Sequence, residues 1–139
     1  MALDERLTAI ARQLVEREGQ HSADLDRARV CAQKLHERLA SALEGFHAQV
    51  MPSAPQLAVT LGEPRVDEKH LHAVQFELER GRYRAIVTVK SRGEVTLVGP
   101  FRKGGAEGPC RSFPVAAEAD IKVALEDFVL AFIEEAATP

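Results

Sequence analysis

The stretch that decides the fold is His72-Ala-Val74-Gln-Phe76-Glu-Leu78-Glu-Arg80-Gly81-Arg-Tyr83-Arg-Ala85-Ile-Val87-Thr-Val89-Lys90. His72, Val74, Phe76 and Leu78 alternate with Ala73, Gln75, Glu77 and Glu79, the period of two that sends one set of side chains to each face of a strand. A two-residue turn at Arg80-Gly81 folds the chain back on itself. That turn opposes Leu78 to Tyr83, Phe76 to Ala85 and Val74 to Val87 on one face, and Glu79 to Arg82 and Glu77 to Arg84 on the other. Apolar meets apolar and acid meets base, an arrangement that slippage by one residue would destroy.

The next segment extends the pattern. A three-residue loop, Ser91-Arg92-Gly93, with Gly93 in the left-handed bulge position, opposes Val89 to Val95 and Val87 to Leu97. The other face then holds Lys90 with Glu94, Thr88 with Thr96, and Ile86 with Val98. A two-residue loop would set Lys90 against Val95, so the longer loop is the consistent one. Upstream, Leu57–Leu61 reads as a short strand, followed by a loop over Gly62–Lys69. Downstream, Phe101–Cys110 has loop composition, and Arg111–Val115 reads as a fifth strand at an edge because of Pro114. From Glu118 to Ala136 the period changes to that of a helix. Ile121, Ala124, Leu125, Phe128, Val129, Phe132 and Ile133 form a broad apolar face that should lie on the sheet.

The first fifty residues are also helical in pattern. Leu3, Leu7, Ile10 and Leu14 form one heptad-like seam; Leu25, Ala28, Ala32, Leu35, Leu39, Ala42 and Phe46 form another. The two are out of heptad phase, with the shift around Glu18–Ser22. Gly19 suits a helix end and Ser22, followed by Asp24 and Asp26, a new start. Two outcomes satisfy this: a hairpin of two helices, or one long helix carrying a stutter. A single helix would be about 70 Å long and would need another chain to cover its apolar seam. The reading favours a break or strong bend near Gly19, ahead of Pro52 and Pro55, which end the helical region. It places self-association on Leu25, Leu35, Leu39 and Phe46, so that aspartate at Leu35 and Leu39 should give monomers.

The whole is therefore expected to be one α+β domain: residues 1–50 a helical arm, 56–115 an antiparallel meander of four or five strands, and 117–136 a C-terminal helix packed on one sheet face. Composition agrees. Of 139 residues, 45% are hydrophobic and 28% charged, and 18 Lys and Arg against 21 Asp and Glu leave a net charge of −3. These are the proportions of an ordinary globular domain, large enough to hold a core without disulfide or metal staples. Charge is uneven: net −1 over residues 1–50, +3 over 51–116 and −5 over 117–139. No stretch approaches the roughly 18 apolar residues of a membrane span, and the charged start has no signal-peptide core. Cys31 and Cys110 lie far apart with no CxxC spacing. The expectation is a cytoplasmic protein without a membrane segment.

Chemistry is sparse. His70 and His72 share a strand face, with Asp67 or Glu68 near enough to add oxygen, but two ligands do not make a metal site. Arg102, Lys103 and Arg111 flank glycines in the basic loop 101–111 and form a candidate anion site, although no nucleotide-type phosphate loop is present. Cys110 has no local His or Asp to make it a nucleophile, and Cys31 reads as packing. Arg80, Arg82, Arg84, Lys90 and Arg92 cluster in the hairpins, yet several have acidic partners and no exposed aromatics accompany them, which disfavours nucleic acid. No catalytic residue, cofactor or metal set is assigned. The leading expectation is a non-catalytic protein-interaction or assembly module, homodimeric through its N-terminal helices. The alternative is a small-ligand or anion-binding domain using loop 101–111.

Overall fold

The computed structural model describes residues 2–67, 69, 72–105 and 108–137. Helix α1 runs from Leu3 to Val50; a 3-10 turn follows at Pro55–Leu57. The strands are β1 (Thr60–Leu61), β2 (Arg65–Val66), β3 (Ala73–Arg80), β4 (Tyr83–Lys90), β5 (Glu94–Arg102) and β6 (Cys110–Pro114), and helix α2 spans Glu118–Ala136. The sheet is an antiparallel meander in the order β1-β3-β4-β5-β6, with β2 beside β1 along the same edge of β3. This is the expected α+β architecture.

Alternation places the core. Val74, Phe76, Leu78, Tyr83, Ala85, Val87, Val89, Val95 and Leu97 point to one face and are buried. Both helices lie on that face, α1 over β3 and β4, α2 over β5 and β4. From α1 come Ala28, Ala32, Leu35, Leu39 and Leu43; from α2 come Ile121, Ala124, Leu125, Phe128, Phe132 and Ala136. The opposite face carries Gln75, Glu77, Arg84, Thr88, Lys90, Glu94 and Thr96. There Glu77 pairs with Arg84, Lys90 lies 3.1 Å from Glu94, and the Thr96 and Ser112 hydroxyls share a hydrogen bond of 3.0 Å.

The β4–β5 register is the expected one, Lys90 facing Glu94 and Val87 facing Leu97. The β3–β4 register differs by two residues: Arg80 faces Tyr83, Leu78 faces Ala85, and Phe76 faces Val87. The turn is thus Gly81-Arg82, with Gly81 first and at φ +57°. Turns that match strand twist require a positive φ at their first position, which glycine supplies and arginine does not. A two-residue shift leaves every side chain on its expected face, so the apolar pattern cannot distinguish the two registers.

Three boundaries also moved. Pro55 opens the 3-10 turn at a fixed φ, so the first strand begins only at Thr60. Beyond it the edge resumes as β2 inside the segment read as loop. There the register against β3 slips by one residue, from Leu61 facing Leu78 to Arg65 facing Gln75. Strand β5 continues to Arg102 through a bulge at Gly99-Pro100 opposite Ala85. Gly99 has φ +114°, and a Cβ there would sit 3.0 Å from the Ala85 Cα and the Arg84 carbonyl oxygen. Gly99→Ala should therefore cost about 2 kcal/mol or more, read as a lower urea midpoint.

Helix α1 has no break. Gly19 keeps helical hydrogen bonding and is not among the glycines of positive φ. The heptad phase shift is a stutter. From Leu14 to Leu25 is eleven residues, which at 100° each make three turns within about 20°, so a straight helix keeps both seams on one face. Only a strictly heptad, supercoiled helix would separate them. A Cβ on Gly19 meets nothing within 4 Å. Gly19→Ala should accordingly add about 1 kcal/mol of local helix stability, seen as slower amide hydrogen exchange over residues 10–25.

Candidate interaction surface

The sheet supports only part of α1. Leu25 is half-buried and Ala28, Ala32, Leu35, Leu39 and Leu43 are buried, but every described residue from Ala2 to Gln20 is exposed. His21 is the last residue on this path to meet the body, its ring set edge-on against His72 at 5.2 Å. Beyond it eighteen residues, Leu3 to Gln20, overhang by about 27 Å. This arm carries Leu3 at 72%, Leu7 at 55%, Ile10 at 51% and Leu14 at 54% exposure, in line with the face that packs on the sheet. Contiguous apolar stripes of this kind mark interaction surfaces.

A second surface lies between the helices. Two adjoining hollows of about 730 and 480 Å³ meet at Arg38. The first joins residues 26–38 of α1 to Glu118 and Ile121 of α2; the second joins residues 38–46 to residues 125–133. The two helices therefore run in the same direction, with a groove along them. Its floor holds Leu35, Leu39, Leu43, Ile121 and Leu125, and Phe46, Val129, Leu130 and Ile133 line its far end. Its α1 rim is basic, with Arg27, Lys34 and Arg38 beside a single acid, Asp26. Its α2 rim carries Glu118 and Glu126. Among the described residues Lys34, Arg38, Glu118 and Glu126 make no ion pair, while Arg27 pairs with Asp24.

The residues assigned to self-association thus divide. Leu35 and Leu39 belong to the chain's own core, and Leu25 and Phe46 are half-buried against it. The stripe left uncovered is Leu3, Leu7, Ile10 and Leu14. Its position could be found only by knowing where the sheet ends.

The candidate anion residues are not brought together. Arg102 donates to the Tyr83 hydroxyl at 3.3 Å and lies over that ring, which holds its guanidinium above its usual pKa. Lys103 pairs with Glu79. Arg111 stacks on Phe113 and faces Leu97, five residues along β5 from Arg102 and so roughly 17 Å away. Of the hairpin cations, Arg84 pairs with Glu77, and Lys90 and Arg92 both with Glu94, whose carboxyl they hold below the usual range. Arg80 donates to the Gln56 carbonyl at 3.1 Å.

Of the histidine pair, His70 lies outside the described residues, as does Glu68; His72 is exposed, and its neighbour His21 comes from α1, a proximity no local spacing reveals. The Asp67 carboxylate accepts the Lys69 N–H at 3.0 Å. Among the described residues no three His, Cys, Asp or Glu side chains gather as metal ligands. Cys31 is half-buried in the groove wall, and burial pushes its thiol up, as suits a packing residue. Cys110 is exposed at the start of β6. No helix among the described residues is long and apolar enough to cross a membrane. Compared with known proteins, the chain matches no family model, no curated relative and no solved structure.

Proposed function

We propose that the protein is a non-catalytic assembly module that self-associates through the overhanging arm of α1. The observation that carries this reading is the row of four half-exposed or more exposed apolar side chains, Leu3, Leu7, Ile10 and Leu14, on a helix segment that no element among the described residues covers. A helix of eighteen residues with a glycine near its base is marginal in water, because helices in proteins draw most of their stability from a packed face. A second copy supplies that packing.

The test is sedimentation velocity over a wide concentration range, on the full chain and on Leu7→Asp with Ile10→Asp. The parent should associate with rising concentration and the double variant should not. A parent that stays monomeric at high micromolar concentration would sink the reading. The cations of loop 101–111 favour no second reading, since Arg102 and Lys103 are engaged with Tyr83 and Glu79, and Arg111 lies apart on the edge strand.

A further inference from the structure

We infer that the arm of one copy seats in the groove between α1 and α2 of a second copy, pointing the same way as those helices, so that copies join head to tail. This rests on the self-association reading and names the surface that receives the arm.

Dimension comes first. The arm is about 27 Å long, and the α1 wall of the groove, residues 26–46, spans about 30 Å. The groove is apolar along its floor and opens away from the sheet, as an amphipathic helix in a groove requires.

Charge decides the direction. Viewed along the arm from its N-terminus with the stripe downward, the right-handed helix puts the residues just after the stripe, Asp4, Ala11 and Glu18, on the left. Arg6, Gln13 and Arg17, just before it, fall on the right. By the same geometry α1 forms the left wall of the groove and α2 the right. An arm lying parallel therefore brings Asp4 and Glu18 to the wall of Arg27, Lys34 and Arg38, and Arg6 and Arg17 to the wall of Glu118 and Glu126. Reversing the arm sets acid against acid and base against base. Like charges in apposition reject the wrong orientation more strongly than opposite charges reward the right one.

Orientation of the stripe excludes one rival. Because it is in line with the sheet-facing side of α1, a second α1 lying parallel and seam to seam along the whole helix would occupy the space of the sheet. Arm-in-groove contact avoids that clash, and because arm and groove are different surfaces, each copy keeps one of each free.

The experiment mixes two variants of the full chain. One carries Leu7→Asp and Ile10→Asp in the arm; the other carries Ala42→Glu and Leu130→Glu in the groove. All four positions are exposed, and circular dichroism melts check that both variants fold. Each alone should be monomeric in sedimentation velocity. An equimolar mixture should give a one-to-one pair and nothing larger, since only one arm and one groove remain competent. If the groove variant associates as the parent does while the arm variant does not, arms pair with arms: the inference is overturned and the self-association reading stands. Two monomeric variants whose mixture stays monomeric overturn it as well, and a monomeric parent removes both. Direction is read separately. Lys34→Glu with Arg38→Glu should weaken association at least tenfold, and Asp4→Lys with Glu18→Lys in the same chain should restore it; absence of recovery overturns the parallel orientation.

Discussion

Leu39→Asp should abolish the cooperative thermal transition, whereas Leu7→Asp with Ile10→Asp should leave the melting temperature of the monomer within about 2 °C of the parent. Both alter a leucine on the same face of the same helix, and sequence spacing treats them alike. Leu39, however, is 2% exposed and belongs to the core cluster. Its loss forfeits about 3 kcal/mol of packing, and an unpaired carboxylate in its place costs several kcal/mol more. A domain of this size has about 5–15 kcal/mol in total. Leu7 sits in water, where aspartate removes no packing within the chain. The expectation that aspartate at Leu35 and Leu39 yields monomers is thereby replaced: those substitutions report on folding, and the arm substitutions test the proposed association. Melts by circular dichroism, with one-dimensional proton spectra for residual tertiary structure, distinguish them. A folded, cooperative Leu39→Asp protein would mean that α1 does not rest on the sheet as described.

The second large effect belongs to α2. Phe132 is fully buried on the helix that packs against β4 and β5, one turn from both Phe128 and Ala136, and truncation to alanine removes its ring from the core. Phe132→Ala should cost about 3–5 kcal/mol. For a chain of this length that is a fall in melting temperature of roughly 10–20 °C. Val123, on the outer side of the same helix and 58% exposed, is the control; Val123→Ala should stay within about 0.5 kcal/mol. A shift of less than 1 kcal/mol for Phe132→Ala would show that α2 is not seated on the sheet through this face.

The candidate interaction surface was half legible. The excess of apolar helix seam over what a small sheet can cover is visible in the spacing of Leu3 to Phe46, and so is the need for a covering element. The choice of residues was not visible, because Leu3 and Leu35 recur at the same helical spacing, each with an apolar residue four positions on, and that spacing does not say beneath which of them a sheet lies. The groove was not legible at all: it arises from the distance between two helices separated by 67 residues of chain, and Lys34 and Glu118 gain meaning only once they face each other. The basic loop failed for the converse reason. Arg102, Lys103 and Arg111 are near in sequence, but Arg102 ends β5 and Lys103 opens the turn after it, while Arg111 lies on the next strand, paired with Leu97.

What sequence determined by itself was the identity of β3, β4, β5 and α2 and the face each presents: period two set the inner and outer residues of the three strands, the Ser91–Gly93 loop set the β4–β5 register, and the apolar face of residues 118–136 set how α2 lies. These follow from geometry within a few residues of each position. Tertiary structure decided the rest. A two-residue slip at Gly81 conserves every face, so only the turn's backbone chose between registers. Gly19 is compatible with a helix end or a helix interior at a difference of about 1 kcal/mol, which the packing of residues 25–43 on the sheet outweighs. And an apolar stripe has the same period whether covered or bare, so only the place where the sheet stops, next to His21 and His72, separated core from arm.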